Sequence, residues 1–219
     1  MVFSFYSLGT VLVKNWLWES EANILIMGRK RPLKIKIEIT HPWGQPILHI
    51  LIDEPRLEVL SFRDKRLYVG DYTPQALSKF IPGDLDSNLI WAALRGYPTL
   101  LDYDRIGSSG GDQINLFNGK GKEVERITIN PDSLLPRLIF LPENFIKLAF
   151  SDWQENEGIY NAGEVRLDDM EGKRELILKS KKTVFNKALP DQIFVMEKPP
   201  HFESVSLEKI HEGAGLKKD

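Results

Sequence analysis

Between Leu33 and Thr40 apolar and charged positions alternate strictly. Leu33, Ile35, Ile37 and Ile39 are separated by Lys34, Lys36 and Glu38. A period of two puts the four aliphatics on one face and the charges on the other, which predicts a strand packed on one side and wet on the other. Other runs read the same way: Phe3 to Val13, Ala22 to Met27, Ile47 to Ile52, Arg56 to Phe62 and Leu67 to Gly70. Their connections are short, as at His41-Pro42-Trp43-Gly44 and Arg63-Asp64-Lys65, which predicts an antiparallel meander.

The pattern switches at Thr73-Pro74, where Thr is a good N-cap and Pro suits the first helical position. Leu77, Phe80 and Ile81 fall at helical spacing before Pro82-Gly83. A second helix is predicted from Asp86 or Ser87, with an apolar stripe of Leu89, Ile90, Trp91 and Leu94 and a stop at Gly96. Strands resume at Gln113 to Asn118, Glu123 to Ile129, Leu135 to Leu141, Phe145 to Trp153, Ile159 to Leu167 and Glu175 to Phe185. A last ordered element is expected at Gln192 to Met196. The Gly107-Ser108-Ser109-Gly110-Gly111 stretch reads as a flexible loop. Residues 1–200 are expected to form one domain, and 201–219 a charged tail, loose or briefly helical.

About ten strands and two amphipathic helices define a mainly β fold. A sheet of that size curls or closes rather than staying flat. The helices, lacking helical partners, must bury their stripes against its apolar face. A curled sheet with a helical lid inserted mid-chain leaves a greasy cavity between the two. The expected cavity wall is Leu33, Ile35, Ile37 and Ile39 from the sheet, with Leu77, Phe80, Trp91 and Leu94 from the lid. Plain core packing is the competing role for all eight.

Composition narrows the function. Twenty-nine basic and 31 acidic residues give a net charge of -2, which carries no argument for nucleic acid. Arg29-Lys30-Arg31, with Lys34 and Lys36, reads as a solvated turn and strand face. Cysteine is absent, excluding disulfides, thiolate metal sites and a cysteine nucleophile. No apolar run reaches the ~20 residues of a membrane span. Met1 to Val13 is apolar but lacks a basic flank and a cleavage site, so any export segment is expected outside this numbering. His41, His49, His201 and His211 show no metal-ligand spacing. Asp102 with Asp104, and Asp168-Asp169, read as solvated turn acids. The glycine loop lacks a following Lys-Ser/Thr pair, and no Gly-x-Ser-x-Gly elbow occurs. Nothing here argues for an enzyme, a metal or a cofactor.

Trp43 is the odd residue, a large amphipathic ring in a turn where a small polar residue is expected. Folded back, it covers the sheet edge. Projecting outward, it suits a membrane–water interface. Burying one such side chain supports brief docking, at roughly 1.5–3 kcal/mol, and not stable anchoring.

Thr40-His41-Pro42-Trp43-Gly44, following the alternating strand, resembles the Asn-Pro-Leu-Gly turn of the LolB family of outer-membrane lipoprotein receptors, whose protruding leucine matches Trp43 by position. The likeness runs from about Gly9 to Pro98, through the two-helix insert and Leu94-Arg95-Gly96-Tyr97-Pro98, which looks like that family's Leu-Gly-x-Pro. Asn186-Lys187-Ala188-Leu189-Pro190-Asp191-Gln192-Ile193-Phe194, followed by Lys198-Pro199, is closer to the LolA carriers. The resemblance implies an unclosed β-barrel holding lipoprotein acyl chains or other lipids on its concave face, with helices as a lid. It further implies a periplasmic protein of a Gram-negative bacterium, Trp43 meeting the outer-membrane surface, and a LolA-like carrier as a partner. LolB proteins are lipidated on an N-terminal cysteine that this chain lacks. Two other readings stay open: an envelope sensor or scaffold binding a protein partner, and a hydrolase acting on a lipid or glycan.

Overall fold

The computed structural model describes residues 1–15, 19–143, 145–169 and 174–210. A first meander runs through β1 (Ser4–Asn15), β2 (Glu19–Lys30), β3 (Leu33–Thr40), β4 (Pro46–Asp53), β5 (Arg56–Ser61) and β6 (Arg66–Asp71). Helices α1 (Pro74–Ser78) and α2 (Ser87–Arg95) follow. A second meander comprises β7 (Arg105–Ser108), β8 (Gln113–Phe117), β9 (Glu123–Ile129), β10 (Pro136–Leu141), β11 (Ile146–Asn156), β12 (Ile159–Asp169) and β13 (Arg174–Phe185). Strand β13 pairs antiparallel with β1, which welds the meanders into one sheet. The last strand, β14 (Glu203–Ser206), lies parallel to β6. Edges β14 and β7 do not meet, so the barrel is unclosed, a curled sheet with a small helical insert.

Pairing lines up the inner face. Phe5 faces Gly28, Gly28 faces Ile35, Ile35 faces Ile52, and Ile52 faces Leu57. This transverse row belongs to the buried core. Over β3 and β4 the opposite face is polar and carries ion pairs such as Lys34–Asp53 at 2.8 Å and Lys36–Glu38 at 3.0 Å, the ordinary condition of an antiparallel sheet packed on one side; over β5 and β6 it is covered.

Capping fixes the insert. The Thr73 hydroxyl accepts from the Ala76 N–H at 3.0 Å, and the Asp86 carboxylate accepts from Asn88 and Leu89 at 2.8 and 2.9 Å. Both caps satisfy N–H groups a helix start leaves unpaired. Gly96 ends α2 in the left-handed region at φ 74°. A Cβ there would lie 2.7 Å from the Ala162 carbonyl oxygen, and the Gly96 carbonyl accepts from the Ala162 N–H at 2.7 Å. That bond ties the helix end to β12.

Several segments differ from the sequence reading. The stretch read as a glycine loop begins inside β7, since Arg105–Ser108 pairs with β8; the strand is short and mostly exposed, so alternation is too brief to show. The element expected at Gln192 to Met196 is a single 3-10 turn, Asp191–Phe194, held by Arg29–Asp191 at 2.7 Å and by the Arg29 guanidinium 5.3 Å from the Phe194 ring centre. Arg29 is thereby paired, and Lys30 reaches α2. The segment read as a tail from 201 starts as part of the sheet. Phe202 packs with Leu60 and Leu67 in a small second core, β14 covers the β6 edge, and Leu207 and Ile210 join the main core. The Lys79 ammonium donates to the carbonyls of both, at 3.2 and 3.1 Å. Residues 211–219, including His211, lie outside the described residues.

Candidate functional site

The concave face divides into an end filled by side chains and an end that stays open. At the filled end, Trp91 of α2 meets Phe5 edge-on with ring centres 5.0 Å apart. It fits because position 28 has no side chain: a Cβ on Gly28 would stand 2.6 Å from the Phe5 ring and 3.0 Å from Trp91. Lys30 donates to the Asn88 side chain at 2.8 Å, and its ammonium lies 5.3 Å from the Trp91 ring centre. Burial pulls the Lys30 ammonium below its usual range, with Glu54 and Asp86 opposing. The Tyr72 hydroxyl donates to the Leu85 carbonyl at 2.9 Å, and burial pushes that phenol well up. These contacts fix the N-terminal half of α2.

Under the C-terminal half lies an apolar cavity of about 50 Å3. Val11, Ile24, Ile37 and Ile39 form one wall, and Val165, Leu167, Leu176 and Leu178 another. Ile81, Pro82, Leu85, Ile90, Ala93 and Leu94 form the roof. Ile37, Ile39 and Leu94 of the expected wall stand here. Ile35 and Leu77 are wholly buried, and Trp91 is core, while Leu33 and Phe80 pack partly buried against that core; these five do not line the cavity. The missed wall from β12 and β13 left a signal, since Val165 and Leu167 alternate with Arg166 and Asp168. Only the β1–β13 pairing shows that this alternation faces Ile24 and Ile37.

The turn between β3 and β4 closes through the Gly44 N–H donating to the His41 carbonyl at 2.8 Å, with Gly44 at φ 91°. Trp43 is 70% exposed and stacks on His41, ring centres 4.5 Å apart. It covers no core. In an antiparallel meander alternate turns share a rim, so the β10–β11 turn, with exposed Phe145 at φ 51°, stands on the rim of Trp43. Phe145, expected from the sequence to open a strand, is a turn residue and a second exposed aromatic there.

Among the described residues no three His or acidic side chains gather as a metal site, and no helix is long and apolar enough to cross a membrane.

No protein-family model and no curated protein matches the chain. Solved structures do. A DUF1329 family protein from Desulfovibrio piger superposes with a TM-score of 0.62 at 15% identity, covering 89% of this chain and 90% of that one. A domain described as an outer membrane lipoprotein-sorting protein from Vibrio parahaemolyticus gives 0.59 at 9% identity, covering 88% and 89%. A LolA superfamily protein from Nitrosomonas europaea gives 0.56 at 14% identity, covering 89% and 90%. At such identities the likeness is one of fold, and it spans nearly the whole of each chain: this protein has the fold that these three structures share, a LolA superfamily protein among them.

Proposed function

We propose that this chain is a non-catalytic lipid carrier or acceptor of the periplasm, taking lipoprotein acyl chains or other lipids beneath α2 for delivery to the outer membrane. The observation that carries the reading is the cavity, whose walls and roof are apolar throughout. The LolA-type fold and the lipoprotein-sorting relative support the same reading. Apolar transfer supplies the driving force, at roughly 0.8 kcal/mol per methylene buried.

Volume then dictates the mechanism. A cavity of about 50 Å3 holds roughly three to five water-sized groups, far fewer than the methylenes of one membrane acyl chain. Loading therefore lifts the roof. The pinned Trp91 end and the Gly96–Ala162 bond favour a swing of the Ile81–Leu85 connection over dissociation of α2. Ala93→Phe fills the space from the roof. Binding of a fluorescent triacylated cysteine peptide is expected for the native chain and to fall about tenfold or more in the variant, from the lost methylene contacts. Absence of any uptake by the native chain, with no acyl species in native mass spectra, sinks the reading.

Delivery adds a rim contact through Trp43, with a LolA-like carrier as donor. Trp43→Glu is expected to leave folding and cavity binding unchanged. Co-flotation with anionic vesicles is expected to drop about tenfold, the partition worth of one large apolar side chain. Loss of folding in that variant makes Trp43 a packing residue instead.

A further inference from the structure

Beside the apolar cavity, at the C-terminal end of α2, lies a second and smaller chamber of about 20 Å3. The two share Ile24, Ala93, Leu94, Val165 and Leu178 as walls. Besides apolar residues its lining includes Arg95, Asn161, Lys179, which pairs with Glu164 at 3.4 Å, and the hydroxyl residues Ser7, Thr10, Ser180 and Thr183. A β-bulge builds the hydroxyl group. The β1–β13 register shifts at Leu8/Gly9, so Ser180 and Thr183, three residues apart, both face Ser7. Their oxygens form a triangle with sides of 2.9, 3.0 and 2.7 Å. A bulge that re-aims side chains into a cavity is a common device beside ligand sites.

Arg95 is the unusual member. Its guanidinium stacks 4.7 Å over the Tyr97 ring centre, no acid among the described residues pairs with it, and its Nε is buried without an acceptor among them. Burial alone presses its ionisation downward, with only Tyr97 opposing. A cation drawn partly out of water without a counter-charge keeps bonding capacity that an anion would satisfy. Asn161 is also under-used. Its Oδ1 accepts from Asn156 at 3.0 Å, but its amide donates only a long 3.4 Å bond to the adjacent Ala162 carbonyl.

We propose that this chamber seats the carboxylate head of a single acyl chain whose tail lies in the apolar cavity, with Arg95 as counter-ion and Asn161 as a further donor. The proposal rests on the acyl-cavity reading and names a ligand class for it, long-chain fatty acids. Size favours the carboxylate. About 20 Å3 admits roughly one or two water-sized groups, matching two carboxylate oxygens and excluding a glycerophosphate head.

Fluorescence titration with cis-parinaric acid and with its methyl ester separates the two claims. The acid is expected to bind about tenfold or more tightly than the ester, the worth of a hydrogen bond to a charged group. Arg95→Met is expected to abolish that preference while leaving the affinity for the ester unchanged. Equal binding of acid and ester by the native chain overturns the head site and leaves acyl binding standing. Preference surviving in Arg95→Met also overturns it. Failure of both ligands to bind refutes the acyl cavity itself. The native comparison needs no variant, so misfolding of Arg95→Met leaves the proposal decidable.

Discussion

Trp91→Ala is expected to cost about 3–5 kcal/mol of stability, the range for removing a fully packed large aromatic. Trp91 is 3% exposed, and the sheet beneath it was shaped to receive it. Gly28 leaves the floor open, Phe5 meets the indole edge-on, and Lys30 covers it from β2. None of these neighbours can collapse into the vacated space without moving a strand, so the cavity term is retained. For a chain of this size the loss corresponds to a melting-temperature drop of about 6–20 °C. Thermal and urea unfolding check it. A loss near 1 kcal/mol makes α2 a loosely laid cover rather than a helix pinned at one end. The variant also tests the direction of lid motion. With the pin gone, loading is expected to speed up, because the N-terminal half of α2 is then free to lift while the Gly96–Ala162 bond holds the other end.

The same helix shows what was legible in the sequence. Its N-cap at Asp86, its apolar stripe and its stop at Gly96 are local signals, and each is realised. Strand β3 occupies the alternating segment from Leu33 to Thr40. Both depend on neighbours within one turn or one pleat, which is where periodicity speaks. The missed strands β7 and β14 are four residues each and pair at the two edges, where alternation has no length to show and burial is slight.

The cavity was legible as a kind of surface and not as a place. Alternation shows that Leu33, Ile35, Ile37 and Ile39 share a face, but not that Trp91 fills the Leu33–Ile35 end and leaves the Ile37–Ile39 end open. That division depends on Gly28, 63 positions from Trp91 in the chain. The second chamber was invisible for the same reason. Ser7 and Ser180 sit in unremarkable strands, and only a register shift in a pairing across the chain termini brings their hydroxyls to 2.9 Å.

Glu125→Gln is expected to stabilise the protein at neutral pH, by about 1–3 kcal/mol. Glu125 is wholly buried on β9. One carboxylate oxygen accepts from the Leu101 N–H at 2.8 Å, which pins the connection after α2 to the sheet; the other is buried with no donor. Burial pushes the carboxyl above its ordinary value, and the Leu101 bond only partly opposes this. A folded-state value raised above the unfolded one means that the fold holds the proton more tightly. The stability tied to this group is therefore full below about pH 4.5 and is lost as pH rises through the raised value. Glutamine keeps an oxygen for Leu101 and carries no charge at any pH. The gain of the variant over the native chain should thus be greatest at pH 7–8 and vanish near pH 4. Taking the difference between the two chains removes the shared titration of the other carboxylates. Urea midpoints across that range provide the check. A difference independent of pH would mean that Glu125 is held neutral throughout, or is solvated, and in either case the buried carboxylate would not be what limits stability at this end of the half-barrel.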